Sequence, residues 1–429
     1  MKKVLATIAM LAIPGMAMAV GLVGDCYDCH TMHNSEAGQP VAQIGSATGP
    51  TVTGAPAESL LKLDCIACHA NDPTGGSAIW TMPGGSQVPQ VAHGGATDLA
   101  GGNFSNGIGA GNDTASKVHN VLELFAAGSE HYTPTYGNPP GMYGDGGTHT
   151  DIFTSTGGSA YDQFSCAGAR GCHGTRNQIA NGTGVSRVGM AAISGAHHLN
   201  YEGLKDATNY AAGAGHSGAK VAEGFRFIPG LKGTGNTVDR WQNIDETSHN
   251  EYYGAVGTDL AALSCAACHV GSVVQAETTT MAVPNNSMSG FCSTCHGKFH
   301  SSGSFNGATD MITSDPTEGG ADNGISGAFL RHPSDYVIPN EREYAAYQVY
   351  DVSAPVARQD LTAIADTTAV VPGSDMVMCL SCHQAHGSAN DYILRFDYTT
   401  MTAGSYATQQ DAQNAGGCLA CHTLKGVIQ

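Results

Sequence analysis

The chain has 429 residues and a formal net charge of −18, with 13% charged residues, 7% aromatic residues and 58 glycines. The negative charge excludes nucleic acid as a natural partner, because a polyanion would be repelled. The charged fraction is about half, and the glycine share nearly double, that of an average soluble protein. We therefore expect a chain that cannot build a large core from its own side chains.

The first 19 residues are typical of a secretory signal peptide. Lys2 and Lys3 precede a mostly apolar run over 4–16, and Ala-Met-Ala at 17–19 fits a small-residue cleavage site. The run is too short for a permanent membrane span, and no other stretch is long and apolar enough for one. We therefore predict a secreted protein whose mature part, residues 20–429, is a single domain without a membrane span.

Six sites along the chain read Cys-x-x-Cys-His, the attachment sequence for c-type haem. They are Cys26/Cys29/His30, Cys65/Cys68/His69, Cys265/Cys268/His269, Cys292/Cys295/His296, Cys379/Cys382/His383 and Cys418/Cys421/His422. The spacing suits the chemistry, because two thiols form thioethers with the haem vinyl groups and the next residue supplies an imidazole to the iron. Random placement of 14 cysteines and 19 histidines would give only about 0.02 such motifs. Disulfides or zinc ribbons would also pair cysteines, but neither requires the following histidine.

A seventh site, Cys166/Cys172/His173, keeps the final Cys-His step but has five spacer residues. The alternative at this site is a local disulfide beside an unrelated histidine. Gly168 and Gly171 would allow the longer loop to bulge while both sulfurs reach the vinyl groups. We predict seven haem c groups, or six if the Cys166/Cys172 site is empty.

Long stretches rich in Gly, Ser, Asn and Thr separate the motifs, as at 70–116, 133–160 and 301–326. Such compositions are typical of loops. We therefore predict a mostly irregular coil with few short α-helices, wrapped around a stacked chain of haems. Strands are hard to recognise in this sequence.

Three segments carry helix signals. Apolar residues recur at helical spacing over 117–127, and Thr258 is a plausible N-cap for a helix over 259–269. Asn340 and Glu343 resemble a capping box for a helix over 341–350. These are the helices that the sequence predicts.

Twelve histidines remain besides the seven of the motifs, so every iron could have histidine on both sides. His33, His300 and His386 each follow a motif histidine by three or four residues. Because residues at this spacing share one helical face, each would bind a neighbouring haem and not the one next to it in sequence. A ligand of this kind would hold two haems in close contact.

The remaining histidines are less clearly assigned by spacing. His119 lies on the predicted helix over 117–127, and we favour a ligand there over a core residue. His249 and His332 stay open between ligand and polar surface residue. His197 and His198 are adjacent and cannot easily bind the same iron, so either one of them is a ligand or each binds a different haem. The weakest cases are His93, His131, His149 and His216.

Short words along the whole chain carry a family resemblance. They are Cys-Tyr-Asp-Cys-His-Thr-Met-His-Asn-Ser at 26–35, Gly-Gly-Asn-Phe at 101–104, His-Asn-Val at 119–121, Cys-Ala-Gly at 166–168 with Gly-Cys-His-Gly at 171–174, Gly-Ala-His-His at 195–198, His-Asn-Glu-Tyr-Tyr-Gly at 249–254, Cys-His-Gly-Lys-Phe-His at 295–300, Arg-His-Pro at 331–333 and Met-Cys-Leu-Ser-Cys-His-Gln-Ala-His-Gly at 378–387. In combination they resemble the exported multihaem c-type cytochromes of metal-reducing bacteria, with a start similar to that of the filament-forming "nanowire" members.

This resemblance implies haems with two histidine ligands in a closely stacked chain, and haem attachment at the long-spaced motif. It implies a distal ligand set of His33, His119, His198, His249, His300, His332 and His386. In filament-forming members a ligand can come from a neighbouring subunit, and the sequence leaves open whether this chain forms a homopolymer.

The predicted function is electron transfer through the haems toward extracellular acceptors. The expected partners are other cytochromes or extracellular metal acceptors, and the expected place is the outer cell surface or the medium, with the periplasm as the fallback. The alternative is a multihaem reductase of a small nitrogen or sulfur oxyanion, which needs an iron with an open position. We expect no enzymatic activity, because no Cys-x-x-Cys-Lys motif is present and distal histidines are plentiful. A structural or adhesive filament would share the same sequence.

Overall fold

In a computed structural model of the chain, the described residues are 24–57, 60–108, 116–121, 123–125, 164–167, 171–173, 228, 230–232, 243, 245–254, 287–296, 332, 334–361 and 364–428, without the side chains of 293–295. The predicted signal peptide and the predicted helix over 259–269 lie outside them. So do Cys265, Cys268, His269, His198 and His300, together with the side chain of Cys295.

Helices in the described parts of the chain are short, and most begin at a haem motif. They are α1 (Cys26–Cys29), α2 (Cys65–His69), α3 (Met288–His296), α4 (Cys379–Cys382), α5 (Gln409–Asn414), α6 (Cys418–Cys421) and α7 (Thr423–Gly426). Single 3-10 turns occur at Phe104–Asn106, Tyr344–Ala346, Asp391–Ile393 and Tyr398–Thr400. The prediction of a mostly irregular chain with few short α-helices is confirmed.

Strands are present, but each described one has two or three residues. They are β1 (Ser35–Glu36), β2 (Gln39–Pro40), β3 (Gln43–Ile44), β4 (Thr51–Val52), β5 (Ile79–Thr81), β6 (Gln87–Pro89), β7 (Ser165–Ala167), β8 (Gly171–His173), β9 (Leu231–Lys232), β10 (Glu251–Tyr253), β11 (Tyr336–Val337), β12 (Ala357–Arg358) and β13 (Met376–Val377). Eight of them form two-stranded pairs, β1 with β2, β3 with β4, β5 with β6 and β7 with β8. A run this short has no room to show the two-residue alternation by which strands are recognised in a sequence.

The largest sheet gathers distant parts of the chain in the order β11–β13–β12–β10–β9. Strand β10 pairs in parallel with β12, matching Tyr252 with Ala357, and the other neighbours are antiparallel. Strand β13 leads directly into α4, whose first amide, Cys379 N, donates to Ser289 Oγ of α3 at 3.2 Å. The sheet therefore places two haem motifs side by side.

Apolar packing is divided among small clusters, and four of them contain or border motif cysteines. The first cluster packs against Cys29 and Cys68 and consists of Leu63, Ala67, Met82 and Val88. The second is bordered by Cys166 and includes Ile66, Phe104 and Val121. A third contains Tyr252, Phe291 and Met376 beside Cys172 and Cys292, and a fourth contains Tyr347, Val356 and Ala420 beside Cys421. No single large core of side chains forms in the described residues, as expected from the low aromatic content.

The predicted helix over 117–127 is wrong for the residues that the structure describes there. Val118 instead forms a bridge with Gly387, and the amide of His119 donates to the carbonyl of His386 at 3.1 Å. The apolar residues are buried as their spacing suggests, with Val118 3% and Phe125 4% exposed. The backbone, however, takes its hydrogen bonds from the 386–388 segment, and only a single turn follows Val121.

The predicted helix over 341–350 is also wrong. The structure has one 3-10 turn, Tyr344–Ala346, and the Glu343 side chain makes no cap hydrogen bond. The carboxylate instead faces the imidazole of His422. A side chain that looked like part of a capping box therefore serves a contact with a haem motif.

No helix in the described part of the chain combines the length and the apolarity needed to cross a membrane.

Candidate haem-binding sites

Each described Cys-x-x-Cys-His motif forms a helical turn. The first cysteine opens the helix in α1, α2, α4 and α6, and in α3 the motif fills the last turn. Residues three apart share a helical face, so both thiols of the motif point the same way in α1, α2, α4 and α6. The backbone leaves the helix at the histidine in nearly the same conformation at His30 (φ −111°, ψ 153°) and His383 (φ −112°, ψ 155°). This geometry would allow two thiols and one imidazole to hold a single flat group.

Side-chain caps fix where two of these helices begin. Asp64 Oδ1 accepts from the amides of Ala67 at 2.7 Å and Gly45 at 3.0 Å, which starts α2. Ser287 Oγ accepts from the amide of Gly290 at 2.9 Å and donates to Asp335, which starts α3. The caps set the register of the cysteines on each turn.

The long-spaced motif folds differently. Its two cysteines lie on β7 and β8, which pair in parallel with Ser165 opposite Gly171 and Ala167 opposite His173. A Cβ at Gly171 would lie 2.6 Å from the backbone of Ala167, so the close approach requires glycine there. Gly168 lies outside the described residues.

Glu123 holds the start of this motif, and no sequence signal marked it. Its Oε1 accepts from Ser165 Oγ at 2.5 Å and from the amide of Cys166 at 3.1 Å. The carboxylate therefore satisfies the amide of the first motif cysteine, which the longer spacer leaves outside a helix.

The motif cysteines are thiols outside any disulfide at Cys26, Cys29, Cys68, Cys166, Cys292, Cys382, Cys418 and Cys421. Burial raises the pKa of Cys65, Cys382 and Cys421 to about 12. These thiols stay protonated at neutral pH, so they are poor nucleophiles in this fold.

Successive motifs lie next to one another in the order in which the chain carries them. Burial raises the pKa of Cys68, and the nearby Cys29 of the preceding motif raises it further. Burial, Glu123 and then Cys65 raise the pKa of Cys166. Each cysteine therefore has a thiol of the preceding motif close enough to repel its ionised form.

The same adjacency continues in the second half of the chain. The hydrogen bond that the Cys292 thiol donates to Cys379, and then burial, raise the pKa of Cys292, and Cys172 adds to the shift. Burial and then Cys418 raise the pKa of Cys382. With the 265 motif outside the described residues, the spatial order of the others follows the sequence.

Three pairs of histidine rings stand at one common separation. Ring centres are 6.1 Å apart for His119 and His296, 6.2 Å for His173 and His386, and 6.2 Å for His332 and His422. Each pair combines a motif histidine with a histidine that the sequence predicted as a distal ligand. The ring planes meet at 48°, 42° and 87° respectively.

This separation matches that of two imidazoles bound to one iron. A histidine nitrogen lies about 2.0 Å from a bound metal ion and ~1.1 Å from the centre of its own ring, so two rings on opposite sides have centres about 6.2 Å apart. The described residues contain no group of three or more His, Cys, Asp or Glu that could hold a metal ion by itself. Two imidazoles at this separation would fit one haem iron.

Backbone carbonyls orient several of the imidazoles. The Nδ1 atoms of His69, His383 and His119 lie 2.9, 2.8 and 2.5 Å from the carbonyls of Pro89, Tyr392 and Ala385. A carbonyl only accepts, so each Nδ1 carries the proton and each Nε2 presents its lone pair. This is the tautomer that binds a metal through Nε2. Burial, and then His296, lower the pKa of His119 to about 4, which keeps this imidazole neutral.

His249, another predicted distal ligand, lies in a buried polar network. Its ring stacks on Tyr350 with centres 3.6 Å apart, and its Nε2 lies 3.1 Å from Glu251 Oε1. Glu251 Oε2 in turn accepts from Arg358 Nε at 3.2 Å. Among the described residues these contacts join His249 to a carboxylate and a phenol ring, so its role as a ligand stays a prediction.

Two further histidines are placed without a motif partner among the described ring contacts. His33 is exposed, next to Met32, which is 75% exposed. His93 is buried, and its Nδ1 accepts from the amide of Gly95 at 3.1 Å. Its Nε2 is buried without a hydrogen-bond partner in the described part of the chain, so the weak case of His93 as a ligand stays a prediction.

Comparison with known proteins gives one sequence relative. No protein-family model matches the chain. The C-type cytochrome OmcS of Geobacter sulfurreducens is 25% identical, and the similarity spans 96% of this chain and 89% of that protein. The predicted resemblance to exported multihaem c-type cytochromes is confirmed.

Two solved structures are also similar. They are the OmcS nanowires from Geobacter sulfurreducens, with a TM-score of 0.39, and the Outer Membrane Cytochrome S filament from the same organism, with a TM-score of 0.36. Each is 16% identical and covers 96% of this chain and 95% of its own.

Proposed function

We propose that the chain is an electron-transfer protein that carries electrons through seven covalently attached haem c groups. The observation that carries this proposal is the common separation of 6.1–6.2 Å in three pairs of motif and distal histidines. When bound, the haem irons supply the one-electron redox chemistry. The chain's own residues tether, orient and space the haems.

The proposed ligand pairs link motifs to one another. His386 follows the motif histidine His383 by three residues, yet its ring stands opposite His173. Between His383 and His386, the carbonyl of Ala385 accepts a hydrogen bond from His119 Nδ1. The ring of His119 in turn stands opposite that of His296. One short segment thus holds ligands of neighbouring sites, which supports close stacking of the haems.

The remaining assignments are proposed on the motifs alone. Each pair of motif cysteines tethers one haem. The proximal ligands of the remaining irons are His30, His69, His269 and His383. His33, His198, His249 and His300 complete the proposed distal set. The serial contacts of cysteines from successive motifs support a single continuous path.

Carbon monoxide binding to the reduced protein tests electron transfer against the reductase alternative. An iron with histidine on both sides has no open position, so we expect no change in the absorption spectrum on addition of the gas. A soluble iron chelate should meanwhile accept electrons from every haem. A stoichiometric spectral change from one haem in the unaltered protein would favour a reductase.

We further propose that the protein acts at the outer cell surface or in the medium and forms a homopolymer there. His33 is exposed and cannot share the iron of its near neighbour His30, so a second copy of the chain is a suitable owner of its iron. Large apolar side chains are also exposed in the same N-terminal part of the chain, including Tyr27 at 49% and Val52 at 60%. Such a patch is typical of an interaction surface. The relative OmcS is described as nanowires, which supports a homopolymer of this chain. Other cytochromes or extracellular metal acceptors are the proposed redox partners.

Replacement of His33 tests the homopolymer. We expect His33→Gln to keep the haem content of each chain and to abolish filaments in electron micrographs, because a contact between copies loses its iron ligand. The matched control is Gln39→Ala, an exposed neighbour on β2, which should polymerise normally. Filaments of unchanged length and number in the His33 variant would contradict this proposal.

A further inference from the structure

The histidine of the last motif differs from His69 and His383 in what its Nδ1 faces. His69 and His383 face backbone carbonyls, whereas His422 Nδ1 lies 3.4 Å from Glu343 Oε1. Among the ion pairs of the described residues, His422 is the only partner of the Glu343 carboxylate. A carboxylate therefore stands where the other two sites have a backbone carbonyl.

Several contacts hold Glu343 in this place. The Glu343 side chain is 8% exposed, and its Oε2 is buried without a hydrogen-bond partner in the described part of the chain. Thr423, the residue after His422, donates its hydroxyl to the Glu343 carbonyl at 3.0 Å. The ring of Tyr344 meets the edge of the His422 ring, with centres 5.2 Å apart at 72°. The carboxylate is thus fixed beside the imidazole and shielded from water.

A carboxylate in this position changes the iron that His422 would bind. It pulls on the Nδ1 proton and makes the imidazole a stronger electron donor, which favours ferric over ferrous iron. Its charge also favours the more positive oxidised state directly, and burial strengthens that effect. Both effects act in the same direction.

We propose that Glu343 is a positioning residue that lowers the reduction potential of the haem attached at Cys418 and Cys421, below that of an otherwise equal site oriented by a carbonyl. This inference rests on the proposed function, because it requires a haem at that motif. The haem at the last motif of the sequence would then have a lower reduction potential than an equal site oriented by a carbonyl.

The geometry also supplies a signal that distinguishes this haem from those of the other two pairs that the structure describes. The rings of His332 and His422 meet at 87°, against 48° and 42° in the other two pairs. Perpendicular imidazole planes leave two iron d orbitals nearly equal in energy, so the ferric haem gives a strongly anisotropic low-spin paramagnetic resonance signal. More parallel planes give rhombic signals.

The test is a potentiometric titration of this signal in Glu343→Gln. Glutamine keeps the shape and removes the charge. We expect the equilibrium constant for reduction of that haem to rise about tenfold, which is about 59 mV for a one-electron couple, while the rhombic signals titrate as before. The matched control is Glu341→Gln, which removes an exposed charge two residues away and should shift the potential far less.

The outcomes are distinguishable. Equal shifts in both variants, or no shift in Glu343→Gln with the signal intact, would overturn the proposal. If the glutamine variant loses haem, Glu343→Asp, which keeps the charge at a greater distance, should raise the potential by a smaller amount, and an unchanged potential there would count against us. Failure of the proposed function itself would show earlier, as a missing anisotropic signal and a low haem count in the unaltered protein.

Discussion

Replacing His386 with glutamine is expected to open one haem, and only one, to carbon monoxide. The ring of His386 stands opposite His173 with centres 6.2 Å apart, so the variant removes the distal ligand of the haem at Cys166 and Cys172. Glutamine does not replace imidazole as an iron ligand. The reduced variant should bind about one molecule of the gas per chain, where the unaltered protein binds none.

A double replacement identifies the affected haem. In a background with Cys166→Ser and Cys172→Ser, which removes that haem, the His386 variant should no longer bind carbon monoxide. The control is His93→Gln, a buried histidine whose Nδ1 accepts from Gly95 and whose loss should open no site. Gas binding that persists in the double background would assign His386 to another iron and would contradict the pairing.

The second large effect is expected on stability, from the replacement of Arg358 with methionine. The guanidinium is 5% exposed and bonds to two buried carboxylates, through Nε to Glu251 at 3.2 Å and through Nη1 to Asp375. Its Nη2 also donates to the carbonyl of Ala369 at 2.7 Å. Removing it leaves two buried negative charges uncompensated, which costs about 3–5 kcal/mol of unfolding free energy. Denaturant unfolding of the haem-loaded protein measures this loss.

Acidification should reduce that loss. Burial already raises the pKa of Asp375 against the opposing effect of Arg358, and without the guanidinium it should rise further. A folded-state pKa above the unfolded value means that stability is retained at low pH and lost as the pH rises through the folded pKa. The difference in unfolding free energy between the unaltered protein and the Arg358→Met variant should therefore be largest at neutral pH and smaller in acid. Lys425→Met, an exposed control, should change stability by no more than about 0.5 kcal/mol. A similar loss in both variants would show that the network around Arg358 contributes no more than surface charge.

The attachment motifs could be predicted from the sequence because the chemistry demands adjacent residues. Two thiols and an imidazole must meet one flat group, and a single helical turn delivers all three, as α4 and α6 show. Nothing beyond local spacing is needed. The long-spaced site could be anticipated only through its final Cys-His step and its glycines, and Gly171 proves to be required by a close backbone approach.

The distal partners could be named as a set but not paired, because pairing depends on contacts across hundreds of residues. His119 illustrates the difficulty. Its apolar neighbours suggested a helix, yet Val118 forms a bridge with Gly387. With the backbone held in this way, the ring of His119 lies opposite that of His296. Glu343 is a second example. The local pattern suggested a capping residue, but its carboxylate contacts His422, which lies 79 positions away in the sequence. Local patterns predict burial well here, and tertiary contacts decide the backbone.

The most direct test of this account is a cryo-EM map of the secreted, haem-loaded protein at a resolution that shows the iron ligands. We predict that His119 and His296 flank one iron, His173 and His386 a second, and His332 and His422 a third. A map in which either histidine of any of these pairs binds a different iron, or in which one of those irons lacks a second histidine, would contradict it.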